Sequence, residues 1–217
     1  MFMTIPIETL LHSLDWRYAT KKFDTRKKLS EEQLNLVKEA LRKSPSSFGV
    51  QPWKFIIVNN QDLKNTLRSH AWNQTQISDA SHIVVLCTPK KMTEDHIKKY
   101  ISKVASIRDV PLENLKGYET SILQGIKNKS ESELDSWMRS QVYIALGMLI
   151  ANCATAGIDT CPMEGFSNEK FDEILKLDDL GLKSVVLCAV GFRDDSDKYA
   201  KLPKVRFDKK DLFIRRD

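Results

Sequence analysis

The apolar positions of this chain fall into two spacings, one suited to helices and one to strands. Ser30-Glu31-Glu32-Gln33 has the form of a capping box and opens a helix with Leu34, Val37 and Leu41 on one face, ending before Pro45. An earlier helix is expected from Thr4 as cap to about Leu14, with Pro6 tolerated in its first turn. Lys54-Phe55-Ile56-Ile57-Val58 reads as a strand leaving the turn-rich stretch Pro45–Pro52. A polar, helical stretch from Gln61 leads to Trp72-Asn73-Gln74. Ile83-Val84-Val85-Leu86-Cys87 is a continuous apolar run, which marks a strand covered on both faces.

Residues 91–129 are helical in character and highly charged, as expected of an exposed excursion. Ser132 is expected to cap a long helix through Trp137, Val142, Leu146 and Leu149 to Ala156, with Gly157 as its stop. From Val142 to Ala151 that helix is apolar all round, a pattern that calls for burial in a core or between subunits. A short strand Ile158–Met163, a helix Ser167–Leu177 and a strong strand Ser184–Val190 follow. The polar, basic tail from Asp194 closes on Leu212-Phe213-Ile214. Helices and strands mixed without strict βαβ alternation predict one α+β domain over 1–217, with helices covering a central sheet.

Composition narrows the chemistry. With 217 residues and 41% hydrophobic content the chain can bury a core, and its net charge of +5 is too slight to argue for nucleic acid. Cys87, Cys153, Cys161 and Cys188 form no CxxC, so reduced thiols and a cytoplasmic location are expected. His12, His70, His82 and His96 stand apart, giving no metal pattern. No apolar run spans a bilayer and no signal-peptide pattern opens the chain. There is no GxGxxG, Walker loop, GxSxG or HExxH, so if this is an enzyme a bound cofactor carries the reaction.

Four separated segments supply candidate chemistry. Leu14–Asp24 contains Arg17 and Lys21, which share a face if the segment is helical. Pro45-Ser46-Ser47-Phe48-Gly49-Val50-Gln51-Pro52-Trp53 is a helix-to-strand turn. In Pro162-Met163-Glu164-Gly165-Phe166 the Glu164-Gly165 pair follows a short strand, and Leu202-Pro203-Lys204-Val205-Arg206 puts two cations on one side of an extended segment. In this order the four resemble the FMN-dependent nitroreductase family, over nearly the whole chain.

The resemblance implies an α+β fold with a central, mostly antiparallel sheet covered by helices, dimeric with an exchanged C-terminal tail. It also implies bound FMN, NADH or NADPH as co-substrate, and a small-molecule electron acceptor. Arg17, Tyr18, Ala19 and Lys21 would hold the flavin, with Lys204 and Arg206 returning to its phosphate. Pro45, Ser46 and Ser47 would reach the flavin held mainly by the other subunit, and Asn73 and Gln76 would meet the ring edge. Pro162 and Met163 would pack on the ring, and the Glu164-Gly165 backbone would approach N5. Gln141 and Tyr143 would reach the same site, while Phe48 and Trp72 would face the substrate. Two departures stand out: Ala19 where many relatives have Ser, and Gln76 where several have Lys. The expected activity is NAD(P)H-dependent reduction of nitroaromatics, quinones or related electrophiles. The alternatives are a flavin or enone reductase on the same fold, or a flavin-binding redox sensor without turnover.

Overall fold

The computed structural model describes residues 4–216. Its helices are α1 (Ile7–Trp16), α2 (Glu31–Arg42), α3 (Gln61–Ser69), α4 (Thr75–Asp79), α5 (Glu94–Arg108), α6 (Lys116–Lys127), α7 (Glu131–Thr155), α8 (Asn168–Ile174) and α9 (Lys209–Leu212). Its strands are β1 (Lys54–Val58), β2 (His82–Pro89), β3 (Asp159–Met163) and β4 (Leu182–Gly191). They form one antiparallel sheet in the order β1-β2-β4-β3.

Alternation along β2 explains its unbroken apolar sequence. Ile83, Val85 and Cys87 join one core with Leu67, Ile77, Phe171 and Leu187, beneath α3, α4 and α8. Val84 and Leu86 join the opposite core with Val37, Val142, Leu149 and Val186, beneath α2 and α7. Successive strand residues face opposite ways, so a sheet with helices on both sides needs apolar residues at every position.

Two helix starts differ from expectation. The first helix begins at Ile7 with Pro6, not Thr4, at its N-cap. A Thr4 cap would need Ile5 helical directly before Pro6, a conformation the proline ring disfavours. The long helix is capped by Ser130, not Ser132: Ser130 Oγ accepts from Glu133 N–H at 3.3 Å and Glu133 Oε2 accepts from Ser130 N–H at 2.8 Å. That reciprocal pair satisfies two otherwise orphaned backbone donors.

Residues 91–129 also depart from a purely exposed excursion. Ile97 and Ile101 of α5 and Ile122 of α6 form a third core with Val50, Met92 and Met138. Alternate faces of these helices stay charged, which is the amphipathic pattern of a layer packed on one side.

Lys64 of α3 is only 1% exposed, and its ammonium donates to Ala80 O at 2.7 Å. Burial, reinforced by Lys28, lowers its pKa to about 8. Below that value both folded and unfolded chains are protonated there, and the folded one bears the burial cost. As pH rises from about 8 toward the unfolded value of about 10.5, the unfolded chain binds more protons, so this contribution to stability rises, by up to about 3 kcal/mol. Wild-type stability should therefore gain on that of Lys64→Met between pH 7 and pH 10 in denaturant titrations. A constant gap would show that Lys64 keeps its proton in the folded state.

Candidate functional site

The helix α1 stops at Trp16, and Arg17 at its C-cap already has extended angles (φ −72°, ψ 142°). From there the chain runs along the edge of β3: Ala19 bridges Thr160 in parallel, and Thr20 N–H donates to Thr160 O at 3.1 Å. Arg17 and Lys21 are therefore not four apart on a helix. An extended segment still sends residues two and four apart to one side.

Asp197, 3% exposed, sets this path from the far end of the sequence. It accepts from Lys21 N–H (2.9 Å), Lys22 N–H (3.0 Å), the Tyr18 hydroxyl (2.8 Å) and Tyr199 N–H (3.0 Å). Burial pushes its carboxyl up, but the donated hydrogen bonds outweigh it and hold the pKa below the usual range. Tyr18 is thereby committed to Asp197; burial and that bond raise its pKa. Arg193 lies over the Trp16 ring at 4.0 Å and the Tyr18 ring at 4.7 Å, and pairs with Asp159 at 2.6 Å. Neither Asp197 nor Arg193 stood out in the sequence, where each is one charge among many.

Around this segment lies a cavity of about 420 Å³ walled by Arg17, Ala19, Tyr199, Pro203, Lys204 and Arg206, with Asp15 its one acidic lining residue. The Lys204 ammonium donates to Arg17 O. Burial and then the Arg206 charge lower the pKa of Arg17, and burial, Arg17 and Arg206 lower that of Lys204. Arg17 Nε is buried and meets no acceptor among the described residues. An unmet donor costs about 1–3 kcal/mol, more for a charged group. Three converging cations with an idle guanidinium N–H fit a dianionic phosphate monoester.

Beyond it, toward the end of β3, Lys21 is exposed and its charge opposes the burial that raises the Cys161 pKa, as does a hydrogen bond from the buried Gln76. Pro162 is half-buried, Met163 is 5% exposed within the core, and the exposed Glu164 and half-buried Gly165 follow. Tyr143 of α7 donates its hydroxyl to Glu164 Oε1; burial and that carboxylate push its pKa to about 12. Trp72 and Asn73 both have φ of 53°, a left-handed conformation costly outside glycine. The Trp72 ring lies so close to Gly165 that an added Cβ would fall 2.6 Å from it, so a side chain at 165 would displace the indole. The Asn73 carbonyl accepts from Arg68 Nε at 3.1 Å.

The remaining candidates sit elsewhere. Pro45, Ser46, Ser47 and Phe48 precede β1, at the opposite sheet edge from β3. Three strand spacings separate those edges, about 14 Å. Gln141 of α7 serves this loop: its Oε1 accepts from Ser47 N–H at 2.8 Å and its Nε2 donates to Trp137 O at 2.9 Å. Both ends of that amide are thus used within the chain. Ser46 Oγ accepts from Gln51 N–H at 3.0 Å. Phe48 has φ of 55°, its carbonyl accepts from the Tyr118 hydroxyl at 2.6 Å, and its ring lies over Gly125 of α6. Gln141 and Tyr143, two residues apart, face nearly opposite sides of α7, one toward Ser47 and the other toward Glu164. The structure brings Arg17, Ala19, Lys204 and Arg206 together at one edge of the sheet and leaves Ser46, Ser47 and Phe48 at the other.

Among the described residues no helix is long and apolar enough to cross a membrane, and no group of three His, Cys, Asp or Glu could hold a metal ion. Fold and site together define an α+β protein with Arg17, Lys204 and Arg206 gathered around one cavity at the β3 edge of the sheet. The chain belongs to the Nitroreductase family, whose model matches residues 14–192. A Staphylococcus haemolyticus protein named "Putative NAD(P)H nitroreductase" is 34% identical over 208 residues, covering 88% of this chain and 91% of that one. Among solved structures, a nitroreductase-like protein from Streptococcus mutans matches with a TM-score of 0.85 at 20% identity, covering 98% of this chain and 100% of that one. One from Exiguobacterium sibiricum, described as a "putative nitroreductase in complex with FMN", has a TM-score of 0.79 at 21% identity, covering 99% of each chain.

Proposed function

We propose that the chain is an FMN-dependent oxidoreductase, working as a homodimer, that takes hydride from NADH or NADPH and delivers two electrons to nitroaromatics, quinones or related electrophiles. The carrying observation is the cluster of Arg17, Lys204 and Arg206, with its buried, unmet Arg17 Nε. Family membership and the name of the Staphylococcus haemolyticus relative support the same reading.

When bound, FMN supplies the hydride-accepting and hydride-donating chemistry, with protons drawn from water. This chain's residues hold, orient and polarise. Arg17, Lys204 and Arg206 would take the phosphate; Ala19 contributes no hydroxyl there. Lys21 places a cation beside the segment that leads to Glu164-Gly165, where it would favour the negative charge gained on reduction. The Tyr143–Glu164 hydrogen bond orients that carboxylate. Phe48 and Trp72, exposed by 43% and 80%, offer aromatic faces that would exclude water from the reacting space. Hydride donor and electron acceptor would use that space in turn, giving ping-pong kinetics.

The test is to purify the protein, identify released FMN by mass, and follow NADH and NADPH oxidation with a quinone. Lys21→Met with matched FMN content should lower the two-electron midpoint potential by about 30 mV or more, the equivalent of roughly 1.4 kcal/mol. Lys22→Met is the control, because Lys22 is held by Asp194 at 3.4 Å and Ser196 at 2.5 Å. A colourless protein that takes up no FMN would overturn the proposal. An unchanged potential in Lys21→Met would remove that cation from the ring.

A further inference from the structure

The cavity that gathers Arg17, Lys204 and Arg206 is walled by two segments remote in sequence. One runs from Arg17 to Lys22, extended, leaving α1 and passing beside β3. The other runs from Tyr199 to Arg206, after β4. The walls carry like charges that oppose their meeting. Beyond the effect of burial, Arg206 lowers the pKa of Arg17, and Arg17 and Arg206 both lower that of Lys204. A tie within the chain has to hold the cations together before any anion arrives.

Asp197 makes that tie. Its Oδ2 accepts from Lys21 N–H, Lys22 N–H and the Tyr18 hydroxyl of the first wall, at 2.9, 3.0 and 2.8 Å. Its Oδ1 accepts from Tyr199 N–H, where the second wall starts, at 3.0 Å. The following residues wind onto the same anchor. Ala200 N–H donates to Asp197 O at 3.1 Å and Leu202 N–H to Tyr199 O at 3.2 Å, and Pro203 and Lys204 come next. Every one of these bonds lies inside a single chain, where Asp197 is already 3% exposed. They are therefore independent of what covers either edge of the sheet in an assembly.

Four donors converge on this side chain, and a carboxylate is the group that meets them. Its two oxygens offer about four lone-pair sites, whereas an amide offers one oxygen with two, beside N–H donors of its own. An asparagine that kept its oxygen toward the first wall would turn its NH2 toward Tyr199 N–H and release the second. Charge by itself gives no reason for an acid here, because a carboxylate near a phosphate site repels the phosphate.

We propose that Asp197 is the positioning residue of the phosphate site, its carboxylate tying the Arg17–Lys22 segment to the Tyr199–Arg206 segment so that Arg17, Lys204 and Arg206 stand at one cavity before phosphate binds. The inference rests on the reading of that cavity as the seat of the FMN phosphate. Asp197 touches no ligand; it acts through the residues it holds, which cuts the ordering that binding would otherwise require.

The experiment strips FMN from the full-length protein and titrates it back, read by flavin fluorescence, into wild type, Asp197→Asn and Asp15→Asn. Ligand-free thermal melts accompany each titration. Asp15 is exposed on α1, lines the same cavity and carries none of the bonds above. Each substitution removes one negative charge near the phosphate, so electrostatics alone tightens FMN binding in both, by about twofold. Opposite signs are expected instead. Asp15→Asn should bind FMN at least as tightly as wild type. Asp197→Asn should bind it about tenfold or more weakly, the effect of an unmet donor and a displaced cation. In a Lys204→Met background the Asp197→Asn step should weaken binding by less than about threefold, because a residue it positions is gone.

The proposal is overturned if folded Asp197→Asn binds FMN as tightly as wild type or more so, whatever its melting temperature. It is also overturned if the loss is equally large with and without Lys204, since Asp197 then acts elsewhere. Should Asp197→Asn fail to fold, Tyr18→Phe takes its place: it keeps the carboxylate and removes one donor, and unchanged FMN affinity there overturns the proposal. The two readings fail separately. Wild type that takes up no FMN sinks the flavin reading, whereas wild type that binds FMN beside an unaffected Asp197→Asn sinks the positioning role alone.

Discussion

Arg17→Met should yield a folded protein that has lost FMN affinity by about a hundredfold or more, since truncating one partner of a buried, hydrogen-bonded charge pair costs about 2–5 kcal/mol. The substitution keeps an unbranched stem of similar volume and removes the guanidinium. Without ligand the variant should melt no lower than wild type. It loses a buried donor with no acceptor, and with it the repulsion from Arg206 and Lys204. Added FMN should then raise the melting temperature of wild type much more than that of the variant, because ligand stabilisation scales with the logarithm of concentration over dissociation constant. Fluorescence titration of FMN into both apo proteins measures the affinity, and thermal melts with and without FMN measure the rest. Retained affinity would move the phosphate away from Arg17. A ligand-free variant that melts well below wild type would make Arg17 a structural residue.

Ile144→Asp should convert a dimer into a monomer and, in the same step, release FMN. Ile144 is 43% exposed on α7. Beside it α1, which packs on α7, turns Ile7, Leu10, Leu11 and Leu14 outward at 74%, 40%, 56% and 51% exposure. Phe207, Phe213 and Ile214 of the tail are 79%, 73% and 80% exposed. An apolar surface of this extent fits an obligate interface, of the kind that buries more than about 2,000 Å². A carboxylate forced into it without a partner costs several kcal/mol, of order 2 or more. Flavin loss should accompany dissociation because the cation cluster and the Ser46–Phe48 loop lie at opposite edges of one sheet, so that in the proposed homodimer one flavin would be completed by two chains. Light scattering with visible absorbance on one column reads both properties. A monomer that keeps its FMN would show the site to be complete within one chain.

Much of the scaffold was legible because the information is local. Lys54–Val58 forms the strand its β-branched residues and flanking turn demand, and the Ser30–Gln33 capping box starts α2. The unbroken Ile83–Cys87 run foretold a strand with helices on both faces. Errors came where local signals competed. Thr4 and Ser132 are acceptable caps by type, but a proline two residues on and a glutamate three residues after Ser130 decided otherwise.

The sequence by itself determined the α+β class and the four strands, because apolar periodicity is a property of short segments. Tertiary structure decided how those parts meet. Asp197 draws Lys21 N–H, Lys22 N–H and the Tyr18 hydroxyl from about 175 residues away, so Arg17 to Lys21 runs extended rather than helical. Packing of Ile97, Ile101 and Ile122 on Val50 turns a charged excursion into the support of the Phe48 loop. The order β1-β2-β4-β3 sets two candidate half-sites at opposite edges. These are contacts between residues remote in sequence, chosen by which buried polar groups find partners and which apolar faces find cover, and no window of a few residues carries that information.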